Sequence, residues 1–277
     1  MLTKTQRNLF ANNQRTEEEG KMEQNMKVIK EDDENIYVKV KNIKGRRKAL
    51  GFLSPLTVMA FTIVFSIVAS LLLIVFPSAT LLILLIVTSL SMFATMIFGL
   101  WFTDDTKNYK ELLRFRLPNK KKWYFIAPIA GILFFAGLQG AAWLMGQMGL
   151  SVESSDTSTS VSQAPGVVGI ILMAVFVPIL VPIMEEIFYR GYILSTFEHS
   201  TENKNTGLKL GIIMSSVFFG LAHIQFTGTA TDFFIPLWTG LLGLANALLV
   251  VKSNSIIPPI LFHVFYNGIT VLAMALL

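Results

Sequence analysis

The sequence predicts an all-α fold, a polytopic bundle of about seven transmembrane helices (seven to eight) behind a polar N-terminal tail. Three observations carry that prediction. The chain is 53% hydrophobic and only 15% charged. Its apolar residues come in blocks of roughly 20, each long enough for a helix to cross ~30 Å of hydrocarbon. Lys and Arg fall on alternate loops, as the positive-inside rule requires. There is no cysteine, which excludes disulfides, thiolate zinc sites and a cysteine nucleophile. The net charge is +5, but 12 of the 23 Lys and Arg lie in the first 48 residues. The basic character therefore describes membrane flanks, and no nucleic-acid partner is expected.

Residues 1–48 mix short acidic and basic clusters, such as Glu17-Glu18-Glu19 and Lys44 to Lys48, and read as a disordered or loosely helical cytosolic tail. Residues 49–277 form the membrane domain. Its first block is Phe52 to Phe76, closed by Pro77-Ser78; the second is Thr80 to Phe102. A polar loop from Thr103 to Lys122 carries seven Lys and Arg. The third block, Trp123 to Gly146, starts on an interfacial Trp-Tyr and contains glycines that allow close helix approach. A Ser/Thr-rich loop follows over residues 147–166. The fourth block, Val167 to about Phe197, is too long for one straight crossing. Pro178 and Pro182 inside it predict a kink or break. The fifth runs from Leu210 to Phe226 and the sixth from Phe233 to Val251. The seventh opens on Pro258-Pro259, suited to a first helical turn, and ends at Leu277. Tail, loop 103–122, loop 198–209 and Lys252 hold nearly all the positive charge. This pattern predicts a multi-pass protein of the cell membrane with a cytosolic N-terminus.

The strongly polar groups inside these blocks are few: Gln139, Glu185, Glu186, Arg190, His223, Asn246, His263 and Asn267. Gln139 and Asn246 read as interhelical hydrogen-bond formers. Met184-Glu185-Glu186-Ile187-Phe188-Tyr189-Arg190-Gly191 is different, because charge at bilayer depth costs at least a few kcal/mol. Glu186 and Arg190 are four apart and share a helix face, whereas Glu185 points about 100° away. A snorkelling charge cluster at a helix end is the ordinary explanation. Two of the three histidines, His223 and His263, sit in other apolar blocks, and Asn267 shares a face with His263. Either histidine alone could be a packing group. Together, three helices each present a His or Glu to one bundle interior.

Two chemistries use these parts. One is a metal site of Glu185, His223 and His263, holding a divalent ion such as zinc with an open position for water. The other is a carboxylate general base helped by imidazole, with His and Asn donors facing an oxyanion. The zinc-protease pattern His-Glu-x-x-His is absent. If helices are straight, Glu185 and His223 fall at different depths. A common depth would follow with Tyr189 to Phe197 also embedded and the helix broken at Pro178 or Pro182.

Glu185-Glu186-x-x-x-Arg190, Phe219-x-x-x-His223 and His263-x-x-x-Asn267, in that order, resemble the signature motifs of the CAAX protease and bacteriocin-processing family, also called CPBP or Abi. The resemblance covers residues 167–268. It implies an intramembrane endopeptidase, commonly classed as a metalloprotease, that resembles CAAX prenyl endopeptidases and acts on a peptide or protein substrate near membrane lipid. It further implies that Glu185 activates water with His223 beside it. His263 and Asn267 would stabilise the oxyanion or hold a metal, with Glu186 and Arg190 in electrostatic support. The alternative is a non-catalytic bacteriocin self-immunity or binding protein on the same fold.

Overall fold

A computed structural model of the chain describes residues 43–67, 69, 80–103, 107–150, 152, 169 and 171–276. The chain divides into two compact units, Met1–Gly45 and Arg46–Leu277. Most of the predicted tail, residues 1–42, lies outside the described residues. Residues 43–48 are already helical, since Lys and Arg are good helix formers and carry an apolar helix outward into water.

Among the described residues every regular element is a helix. α1 is Ile43–Ile67 and α2 is Thr80–Phe102. α3 is the single turn Tyr109–Leu112, inside the predicted basic loop, and α4 is Trp123–Gln147. α5 is a continuous helical run over residues 172–198. α6 is Lys204–Leu221, α7 is Thr231–Ser253 and α8 is Ile257–Leu276. The described helices long and apolar enough to cross a membrane are four: α1, α2 from Ile83, α4 and α7; α8 is a shorter apolar helix over Ile257–Ala273. The sequence predicts seven crossings, and the difference lies mainly in α5 and α6. α5 carries three charged residues in mid-run, and α6 opens on polar turns. Residues 188–197 of α5 are buried throughout, so protein rather than lipid covers its charged stretch.

The prolines of α5 do not break it. The helix widens into π turns over Leu172–Leu180 and Ile187–Ile193, separated by the α turn Val181–Glu186. Val181 N–H donates to Phe176 O, five residues back. The same register would pair Val177 O with the nitrogen of Pro182, which has no hydrogen to give. Asn267 Nδ2 of α8 donates to that carbonyl at 3.1 Å.

Glycines set the closest approaches around α6. A Cβ on Gly211 would lie 2.5 Å from Leu194 O of α5, and one on Gly220 would lie 2.6 Å from Pro236 O of α7. Backbones this close gain packing and exclude lipid. At Gly131 of α4 a Cβ would collide with Phe262 O of α8, so α4 holds α8 against the centre of the bundle. Tyr189, Phe197, Phe219, Leu242, Phe262 and Tyr266 fill the core between these helices.

Gly211→Ala should therefore destabilise the chain by about 1–3 kcal/mol, read as a fall in the thermal midpoint in detergent. Gly140→Ala meets no atom within 4 Å and should not lower the midpoint.

Candidate active site

The site is built around Glu186 of α5, a carboxylate with 0% exposure. Its Oε1 accepts from Asn246 Nδ2 of α7 at 2.9 Å and from His263 Nδ1 of α8 at 2.8 Å. Its Oε2 lies 3.2 Å from Arg190 Nε, one turn along α5. That approach is close enough for an ion pair but is not aligned as a hydrogen bond. The guanidinium is also fully buried and stacks over the Phe219 ring at 4.3 Å and the Tyr189 ring at 5.8 Å. Gly243 leaves it room: a Cβ there would stand 3.3 Å from Nη2.

Glu185 differs from its neighbour in exposure and direction. Its side chain is 14% exposed, against 0% for Glu186. Its Oε2 faces His263 Nε2 at 3.7 Å, too long for a direct hydrogen bond. His263 thus stands between two carboxylates. Because a carboxylate accepts, Nδ1 carries the hydrogen donated to Glu186, and Nε2 is left towards Glu185.

His223, just past the end of α6, is fixed in the same way. Its Nδ1 lies 2.8 Å from Phe219 O; a carbonyl only accepts, so Nδ1 is the donor and Nε2 presents a lone pair. Phe219 joins the two imidazoles, its ring 4.7 Å from that of His223 and 5.7 Å from that of His263. α5 and α6 pack closely: Leu194 lies against Gly211 and Tyr189 against Phe219.

Asn267 lies one turn beyond His263 and spends one amide hydrogen on Val177 O. All six residues singled out in the sequence therefore belong to α5, the end of α6, and α8 around one core. Asn246 joins them. In the sequence it reads as an ordinary interhelical donor; the only signal is a polar residue in an apolar helix, and its partner cannot be read there.

The residues fit a metal incompletely. Each imidazole gives Nδ1–H to an oxygen and keeps Nε2 free, the usual outer arrangement of a ligating histidine. Yet among the described residues no three His, Asp or Glu side chains converge closely enough to hold an ion. The Glu185, His223 and His263 set is not assembled as a three-ligand site.

Fold and cluster together define a helical membrane protein with a buried carboxylate–imidazole cluster at its core. Residues 167–269 match the family model described as type II CAAX prenyl endopeptidase Rce1-like, a membrane protease family. This segment, which holds α5 to α7, the first part of α8 and every candidate site residue, bears out the resemblance to CAAX proteases drawn from the motifs. No curated protein and no solved structure matches the chain.

Asn246→Leu removes a donor to the buried carboxylate at nearly constant volume. It should cost about 1.5–3 kcal/mol, the range for hydrogen bonds to charged groups, measured by thermal unfolding in detergent.

Proposed function

We propose that the chain is an intramembrane endopeptidase of CAAX type that hydrolyses a peptide amide with water activated by Glu185. One observation carries this reading: Glu185, the less buried carboxylate, faces a histidine whose other nitrogen is locked to a fully buried carboxylate. That is the orienting logic of a carboxylate–imidazole pair. Glu185 Oε2 and His263 Nε2 at 3.7 Å suit a water that contacts both.

In this scheme Glu185 takes a proton from the water as its oxygen bonds to the substrate carbonyl carbon. His223, with Nε2 as acceptor, helps to hold the water. The carbonyl π electrons move onto oxygen, and the second amide hydrogen of Asn267 is available to that oxyanion. Collapse of the tetrahedral intermediate breaks the C–N bond. The leaving nitrogen takes its proton from the Glu185 carboxyl, which is thereby restored as a carboxylate. Glu186 and Arg190 act through His263: they fix its tautomer and balance charge in a core without water. The positive-inside pattern supports a cytosolic N-terminus, as protease cleavage of the tail in sealed vesicles of known orientation would report.

Glu185→Gln should lower cleavage of a membrane-anchored peptide by about 10²–10⁴-fold, the usual scale of general-base catalysis, with the protein still folded in the membrane. Retention of wild-type turnover by purified Glu185→Gln protein would overturn the proposal. Chelator treatment should change the rate by less than about twofold, since imidazole and carboxylate alone supply the base. A loss restored by stoichiometric zinc would instead make Glu185 and the histidines ligands.

A further inference from the structure

We propose that Asn246 of α7 is a positioning residue: it tethers the Glu186 carboxylate to His263 and keeps it from turning onto Arg190. The kinetic consequence of the tether rests on the hydrolase reading of Glu185 and His263; the tether itself does not. Asn246 is fully buried. Its Nδ2 donates to Glu186 Oε1 at 2.9 Å, and His263 Nδ1 donates to the same oxygen at 2.8 Å. A carboxylate oxygen offers two lone pairs, and these two donors fill them. The terminal torsion of a glutamate is soft, and two donors from two other helices fix it.

Arg190 is the competitor. Its Nε lies 3.2 Å from Glu186 Oε2 without hydrogen-bond alignment, and Nε, Nη1 and Nη2 are all buried without an acceptor among the described residues. A guanidinium one turn along the same helix favours two parallel bonds to a carboxylate. Rotation of the Glu186 carboxylate would supply them and would take Oε1 off His263. The arrangement forgoes those bonds, so the carboxylate is held from outside the pair. α7 is placed to do this. Gly243, three residues before Asn246 and on the same helix face, leaves room for the guanidinium, with a Cβ there 3.3 Å from Nη2. One helix thus lies against both members of the pair.

With Oε1 released, His263 Nδ1 loses its acceptor. Nothing then keeps the imidazole hydrogen on Nδ1, and a hydrogen on Nε2 would replace the lone pair towards Glu185. Because Nε2 stands 3.7 Å from Glu185 Oε2, the change falls on the proposed reacting pair. Asn246 acts there only through Glu186 and His263.

The test uses the full chain in detergent, with its histidines enriched in the heavy nitrogen isotope and read by magnetic resonance. The protein has three histidines, and His199→Gln and His223→Gln assign their signals. Wild-type His263 should carry its hydrogen on Nδ1. Asn246→Leu should move His263 towards the Nε2–H form and leave His223 unchanged, since Phe219 O holds its Nδ1 at 2.8 Å. With a fluorogenic farnesylated peptide of CAAX type, kcat should fall on the order of 10²-fold while KM stays within about twofold. Asn246→Ala, which adds no bulk, carries the same test where the leucine variant does not fold. A lower thermal midpoint with His263 and kcat unchanged would make Asn246 merely structural and overturn the proposal. A wild-type His263 with its hydrogen on Nε2 would overturn it as well. A His263 shift in Asn246→Leu, with no cleavage by the wild type, would uphold the tether and reject the hydrolase reading.

Discussion

Glu186 has no access to solvent, and side chains from three helices meet it: Arg190 on its own helix, Asn246 on α7 and His263 on α8. A lone carboxylate in such a core would cost several kcal/mol, and removing one partner of a buried pair typically costs 3–5 kcal/mol. The geometry of the bundle follows from meeting that demand. α7 must present Asn246 inward, α8 must bring His263 within hydrogen-bond reach, and α5 must stay helical long enough for Arg190 to return onto Glu186.

This demand also separates the roles of the tandem carboxylates. Consecutive residues on a helix point about 100° apart, so only one of Glu185 and Glu186 can be buried at the hub. The other, Glu185, keeps 14% of its side chain exposed. His263 connects them, with one nitrogen on each side. The wide turns of α5 serve the same arrangement. They carry the chain through Pro182 and leave Val177 O without a helical donor, and Asn267 supplies one while remaining a turn away from His263.

The basic end of the molecule follows a different logic. There the segment after α3 is hydrogen-bonded to the turn between α7 and α8, with left-handed residues Arg114 and Asn254 on either side. Its Arg114 is paired with Glu198 at 2.6 Å, and both side chains are largely buried. The two buried guanidiniums are compensated differently: Arg190 by aromatic faces and Glu186, Arg114 by Glu198.

The sequence by itself determined the helical membrane class, because blocks of apolar residues of bilayer length have few other uses. It also singled out six polar residues as candidates for the site, because charged and imidazole groups are expensive in lipid and therefore few. The boundaries of α2 and α4 were legible for the same reason. Only the tertiary structure decided the rest. It turned a predicted break at Pro178 or Pro182 into a continuous widened helix, because a carbonyl orphaned by proline could be satisfied from another helix. It gave the expected interhelical hydrogen bond of Asn246 its partner, Glu186, because a partner sixty residues away leaves no periodic trace. It set α5 against α6 at Gly211, where a Cβ would meet Leu194 O. Periodicity reports which face a residue occupies; depth and partner depend on how closely two backbones can approach.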